Sequence, residues 1–141
     1  MKLVVGYNGS NSSKKALAVV QKYAKDFNAK VHILTSLIGE QVSPEAATWR
    51  IIEKETDIVK EAEACLEFAQ KTLAEKGISS EKHLLIRGSE PGEDIVQFAK
   101  EVDADFIVMG IGKTSRVGKL FFGSNAQYVI LEASCPVITV K

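Results

Sequence analysis

Residues 110–124 read Gly-Ile-Gly-Lys-Thr-Ser-Arg-Val-Gly-Lys-Leu-Phe-Phe-Gly-Ser and follow the apolar run at 106–109. Glycines placed after a buried strand let the backbone approach a ligand and take positive φ without steric cost. Ser124 stands where a helix should start, and a helix N-terminus offers unpaired N–H groups and partial positive charge to an anion. Lys113, Arg116 and Lys119 add three cationic side chains within seven residues. Together these features describe a site for a polyphosphate. The competing description is a surface loop with turn glycines, solvated cations and Ser124 as an ordinary N-cap. A second loop of suitable type, Asn8-Gly9-Ser10, follows the first apolar run. Neither is a Walker A sequence, because GxxxxGK[ST] is absent from the strand-to-helix junctions. Gly110-x-Gly112 also lacks the third glycine of a dinucleotide fingerprint at position 115.

Other reactive residue types carry less. His32 and His83 are the only histidines, both in expected strands, and neither has a Cys, Asp or Glu at metal-ligand spacing along the chain, so no protein metal site is expected. Asp105 precedes a strand and should close a turn. Glu90, Glu93 and Asp94 cluster at a helix start, where carboxylates favour the dipole, although they could reach a ligand mouth. Cys65 and Cys135 form no CxxC pair and read as reduced core residues. No Ser-His-Asp or Cys-His set has local support, so no catalytic residue is assigned.

The elements that must hold these loops are strands alternating with helices. Apolar runs at 3–7, 31–37, 83–86, 106–109 and 136–140 show no polar–apolar alternation, as for strands covered on both faces. Helices are expected from the Ser and Asn residues at 10–12 to about Phe27, with Leu17, Val20 and Ala24 on one stripe, and over about 48–75. The long one carries Trp49, Ile52, Thr56, Val59, Glu63, Leu66 and Leu73, flanked by Ile51, Ile58, Cys65 and Phe68, and ends near Gly77. Further helices run from Pro91 through Ile95, Phe98, Ala99 and Val102, and over 126–133; residues 38–47 read as a loop. This order predicts an α/β fold, a doubly wound parallel sheet with helices on both faces, in one domain over 1–141. The 141 residues suffice for one core, and 18 basic against 18 acidic residues give no bias toward nucleic acid or anionic membrane. No apolar run nears the roughly 20 residues of a membrane span. The N-terminus runs straight into a strand without a leader pattern, which predicts a cytoplasmic protein.

The segments 4–10 (Val-Val-Gly-Tyr-Asn-Gly-Ser), 104–110 (Ala-Asp-Phe-Ile-Val-Met-Gly) and 123–130 running into 134–140 resemble the universal stress protein family over essentially the whole chain. Its ATP-binding members carry G-x2-G-x9-G-[ST], and Gly110, Gly123 and Ser124 fall on the first, third and last positions. The resemblance implies a Rossmann-like five-stranded sheet of order 3-2-1-4-5, with ATP between the ends of strands 1 and 4, or AMP or ADP in its place. Carried over by position, Gly110, Gly123, Ser124 and Asn125 would hold phosphates, with Gly112, Lys113 and Arg116 in the same loop. Gly6, Tyr7 and Asn8 would flank adenine and ribose, Ser36 would line the adenine pocket, and Met109 would approach the ribose. The family commonly dimerises through its final strand, here Val137 to Val140.

Two positions depart from the pattern. Lys113 stands where the motif has its second glycine. Either the loop has rearranged around Gly112, or position 113 has ordinary geometry and Lys113 adds charge; positive φ there would cost a Lys about 1 kcal/mol. Asn8 replaces the usual Asp and loses a charge that a metal or an acid catalyst would use. Phosphoryl transfer needs a positioned base as well as charge stabilisation. The expectation is therefore an ATP-binding stress or signalling protein with slow hydrolysis at most, Mg²⁺ or Mn²⁺ arriving with the nucleotide. A low-activity ATPase or phosphotransferase, and a nucleotide-free dimeric interaction protein, are the competing readings.

Overall fold

In the computed structural model, strands β1 (Lys2–Gly6), β2 (Lys30–Ser36), β3 (Ser80–Leu85), β4 (Phe106–Gly110) and β5 (Val137–Val140) form one sheet in the order β3-β2-β1-β4-β5. All four pairings are parallel. The structure describes residues 1–37, 49–112 and 123–141, with residues 49–56 as backbone. The expected loop at 38–47, the side chains of Trp49, Ile51, Ile52 and Thr56, and Lys113, Arg116 and Lys119 lie outside the described residues.

Helices α1 (Asn11–Phe27), α2 (Trp49–Ala74), α3 (Pro91–Glu101) and α4 (Gly123–Glu132) connect the strands. Alternation within each strand splits the core into two layers. Leu3, Val5, Val31, Ile33 and Val108 face α1 and α2, meeting Ala16, Leu17, Val20, Leu66, Ala69 and Leu73. Val4, Leu34, Ile107 and Met109 face the other way, onto Ile95, Phe98, Ala99, Ala126 and Val129 of α3 and α4. Continuous apolar strands follow directly, because each successive side chain enters one layer or the other. The Rossmann-like order implied by the family resemblance is the order found.

Local details differ from expectation in instructive ways. The buried stripe of α2 runs through Ala62, Leu66, Ala69 and Leu73, whereas Glu63, Ile58 and Phe68 are exposed. Strand β3 starts at Ser80 rather than His83, because its polar first half pairs at the sheet edge, where the outer side is open. Glu90 occupies the α3 N-cap position but makes no side-chain cap bond. Asp105, expected to close a turn, instead reaches across to β1: the Lys2 backbone N–H donates to its Oδ2 at 2.8 Å, and its own N–H donates to the Lys2 carbonyl at 2.9 Å.

Candidate functional site: the cleft between strands 1 and 4

Strand order reverses at β1, with β2 on one side and β4 on the other, so the carboxyl ends of β1 and β4 flank a crevice. A cleft of about 430 Å³ opens there, within the range of small-ligand sites. Nine of the twelve binding residues expected from sequence line it: Gly6, Tyr7, Asn8, Ser36, Met109, Gly110, Gly123, Ser124 and Asn125. Gly112 does not; it lines a separate depression with Ser10, Asn11, Ser12, Lys15, Ile111 and Lys141. Nor does Gly112 adopt positive φ, so its own backbone does not require glycine. The remaining two, Lys113 and Arg116, lie outside the described residues.

Three helix N-termini meet at the cleft. In α1, the Ser13 N–H donates to the Ser10 Oγ at 3.2 Å and the Ser13 hydroxyl donates to the Ser10 carbonyl at 2.9 Å. The Ser10 N–H donates to Asn8 Oδ1 at 3.0 Å, so the Asn8 acceptor serves its own turn. Helix α4 begins at Gly123, whose φ of +71° is left-handed and suits glycine. Neither α1 nor α4 has an acidic residue in its first turn, which leaves their positive ends uncompensated by local carboxylates. Helix α3 enters with Pro91, which has no N–H, and its first turn carries Glu93 and Asp94.

Several groups that look free in sequence are engaged. The Ser36 hydroxyl donates at 2.5 Å to Asp94 Oδ2, a carboxylate only 2% exposed. The Thr35 hydroxyl donates to the Tyr7 carbonyl. Asn125 Oδ1 accepts the Gly92 N–H at 3.0 Å, joining α4 to α3. Tyr7 is buried, and burial pushes its phenol above the usual range, with Cys65 adding to the effect. Gly110 is also required by packing: a Cβ there would lie 2.3 Å from the Ser12 carbonyl carbon and 2.4 Å from its oxygen.

Leu34, Ile95, Met109 and Ala126 give the cleft an apolar wall, and Ser10, Ser12, Ser13, Thr35, Ser36, Ser124 and Asn125 a polar one. Among the described lining residues none is Asp, Glu, His, Lys or Arg. The contributions of Ser12, Ser13, Pro91 and Ile95 were not read from sequence. Ser12 was legible only as a cap candidate, and nothing local to Pro91 or Ile95 shows that the crossover from β3 returns α3 to this end of the sheet.

The profile of the universal stress protein family matches residues 1–141. The chain belongs to the universal stress protein family. A Thermus aquaticus relative, the universal stress protein in the QAH/OAS sulfhydrylase 3' region, is 34% identical over 149 residues, covering 99% of this chain and 97% of its own. A universal stress protein structure from Archaeoglobus fulgidus is 38% identical with a TM-score of 0.80, covering 100% of this chain and 98% of that one. A further structure from Archaeoglobus fulgidus, a universal stress protein in complex with dAMP, is 34% identical with a TM-score of 0.75 at the same coverage. Among the described residues of this universal stress protein, no helix is long and apolar enough to cross a membrane.

Proposed function

We propose that this universal stress protein binds an adenine nucleotide in the cleft between β1 and β4, and that nucleotide occupancy sets its state in a stress or signalling role. The observation that carries the reading is the start of α4. A left-handed Gly123, the exposed Ser124 and an N-terminus free of acidic residues face a cleft at the switch point of the sheet. Those are the requirements for a phosphate held by backbone N–H groups and one hydroxyl. The Leu34, Ile95 and Met109 wall suits the flat apolar faces of a base, beside Gly6, Tyr7, Asn8 and Ser36. The dAMP complex of the Archaeoglobus fulgidus relative supports the same ligand class.

ATP is the ligand we favour, with Lys113 and Arg116 supplying charge to the outer phosphates and Mg²⁺ or Mn²⁺ carried by the nucleotide. Hydrolysis is slow at most, because the described lining holds donors and no carboxylate or imidazole to act as base. We further propose a cytoplasmic homodimer formed through β5, which lies at the sheet edge and, among the described residues, has no strand paired to its outer side. Equilibrium dialysis of tag-free protein against ATP, ADP, AMP and dAMP tests the ligand, and native mass spectrometry tests the dimer. Saturable binding that strengthens from AMP to ATP is the expected result. No binding at millimolar concentrations of any of the four overturns the reading.

A further inference from the structure

Away from the cleft, the parallel register of β2 and β3 assembles a three-residue donor set that spacing along the chain does not show. His32 pairs with Glu81 across the two strands, and His83 follows Glu81 by two residues, which returns it to the same face. His32 Nδ1 and His83 Nε2 are 3.1 Å apart, and Glu81 Oε2 lies 3.6 Å from the first and 3.7 Å from the second. The circle through a triangle with those sides has a radius of about 2.0 Å, the length of Zn–N and Zn–O(carboxylate) bonds. We propose that His32, Glu81 and His83 form a binding site for a divalent transition cation of the Zn²⁺ class, with a solvent molecule as fourth ligand.

The surroundings hold the three donors in place and leave them reachable. Lys30 Nζ lies 2.5 Å from the other carboxylate oxygen of Glu81, so it orients the group without occupying Oε2. A hydrogen bond to the oxygen that does not ligate fixes the orientation of the one that does. The Phe98 ring packs against both imidazoles, with centroids 5.7 Å from His32 and 4.6 Å from His83, and restricts their rotation. His32 is buried, His83 half-buried and Glu81 exposed, which gives the ion an entry path and its fourth ligand. Two imidazoles with one carboxylate suit Zn²⁺ rather than Mg²⁺ or Ca²⁺, which prefer oxygen ligands. Metal ligation needs both nitrogens unprotonated. Burial already holds both rings below the ordinary imidazole range, His83 adding to the effect on His32 and Glu81 opposing it on both. The site is separate from the nucleotide cleft: His32 precedes Ser36 by four residues, about 13 Å of strand.

The test is equilibrium dialysis of the tag-free chain, stripped with EDTA, against Zn²⁺ in a non-coordinating buffer, with Co²⁺ as a spectroscopic probe. One Zn²⁺ per chain is expected, with at least tenfold weaker binding in His83→Gln and in Glu81→Gln. Co²⁺ should give the intense visible bands of four-coordinate nitrogen and oxygen ligation. Circular dichroism checks that each variant is folded. If a variant unfolds, the decision passes to the imidazole ¹⁵N resonances of the unmodified chain, where Zn²⁺ must shift His32 Nδ1 and His83 Nε2. No binding at micromolar Zn²⁺, binding that survives both substitutions, or imidazole resonances that do not move overturns the proposal. So does a thiolate-to-Co²⁺ charge-transfer band, which would place the ion on Cys65 or Cys135.

Discussion

The end of β4 touches the first turn of α1 through a missing side chain: a Cβ on Gly110 would come within 2.3 Å of the carbonyl carbon of Ser12, 2.4 Å of its oxygen and 2.7 Å of the Ser13 nitrogen. These are backbone atoms, so relief requires moving α1 away from the sheet. Gly110→Ala should therefore destabilise the ligand-free protein by about 3 kcal/mol, or roughly 10 °C in Tm for a chain of this size. Thermal unfolding without nucleotide checks it. A variant that is as stable as the parent but fails to bind nucleotide would instead make Gly110 a ligand-approach glycine.

Gly123 is glycine for a different reason. A Cβ there meets no described atom within 4 Å, yet the residue has φ of +71°. Gly123→Ala and Gly123→Val should each cost about 1–2 kcal/mol of stability through the left-handed backbone, with the β-branched Val at the upper end. Binding should separate them further. Val projects branches where α4 presents its first N–H groups, so nucleotide affinity should fall below detection, while Ala retains a weakened site. Equal binding by parent and Gly123→Val in a calorimetric titration would remove the phosphate from the α4 N-terminus.

The sequence was most informative where one local rule sufficed. Continuous apolar strands implied a two-faced parallel sheet, Ser10 could be recognised among the caps, and Ser124 was read as a helix start, one residue inside the observed α4. Relations across the sheet were invisible to that reading. Ser36 lines the cleft as expected, while the commitment of its hydroxyl to Asp94, which α3 brings in from 58 positions away, was not legible. Asn125 was expected to offer its backbone N–H to phosphate; that its side chain also accepts the N–H of Gly92, joining α4 to α3, had no local signal. His32 and Glu81 are separated by 49 positions in the chain and become neighbours only through the β2–β3 register. Spacing rules for metal ligands describe single loops and helices, and a register is not a spacing.

Asn125 offers a way to separate architecture from charge. Its Oδ1 accepts the Gly92 N–H at 3.0 Å, and the two backbones are so close that a Cβ on Gly92 would lie 2.8 Å from the Asn125 carbonyl oxygen. Asn125→Asp keeps the acceptor and adds a negative charge in the cleft near the α4 N-terminus. Stability should change by less than about 1 kcal/mol, since a carboxylate near a helix N-terminus is itself favourable. Anionic ligands should suffer, ATP more than AMP and AMP more than adenosine. Asn125→Ala should show the reverse, a stability loss of about 1 kcal/mol from the orphaned Gly92 N–H with a smaller effect on affinity. Dialysis against the three ligands, with urea unfolding of each variant, distinguishes the two outcomes.

The histidine pair also predicts how stability depends on pH when metal is absent. Burial lowers both His32 and His83, and the nearby Lys30 lowers each further; Lys2 also lowers His32, while Glu81 opposes these effects. Each folded-state value thus lies below the unfolded value of about 6.5. Between the two values the unfolded chain binds more protons than the folded one, so stability rises with pH through that window and is lost as pH falls through it. Glu81 has the opposite charge type, and its hydrogen bond from Lys30 holds it low, so its contribution is lost only at more acidic pH, below the ordinary carboxylate value. Urea unfolding in EDTA should show a midpoint that is flat above neutrality and declines below pH 6.5, with an unchanged m-value. His83→Gln should reduce the slope in that window and leave the more acidic decline in place. A midpoint that holds constant from neutrality down to pH 5 would mean that the two imidazoles titrate alike in the folded and unfolded chains.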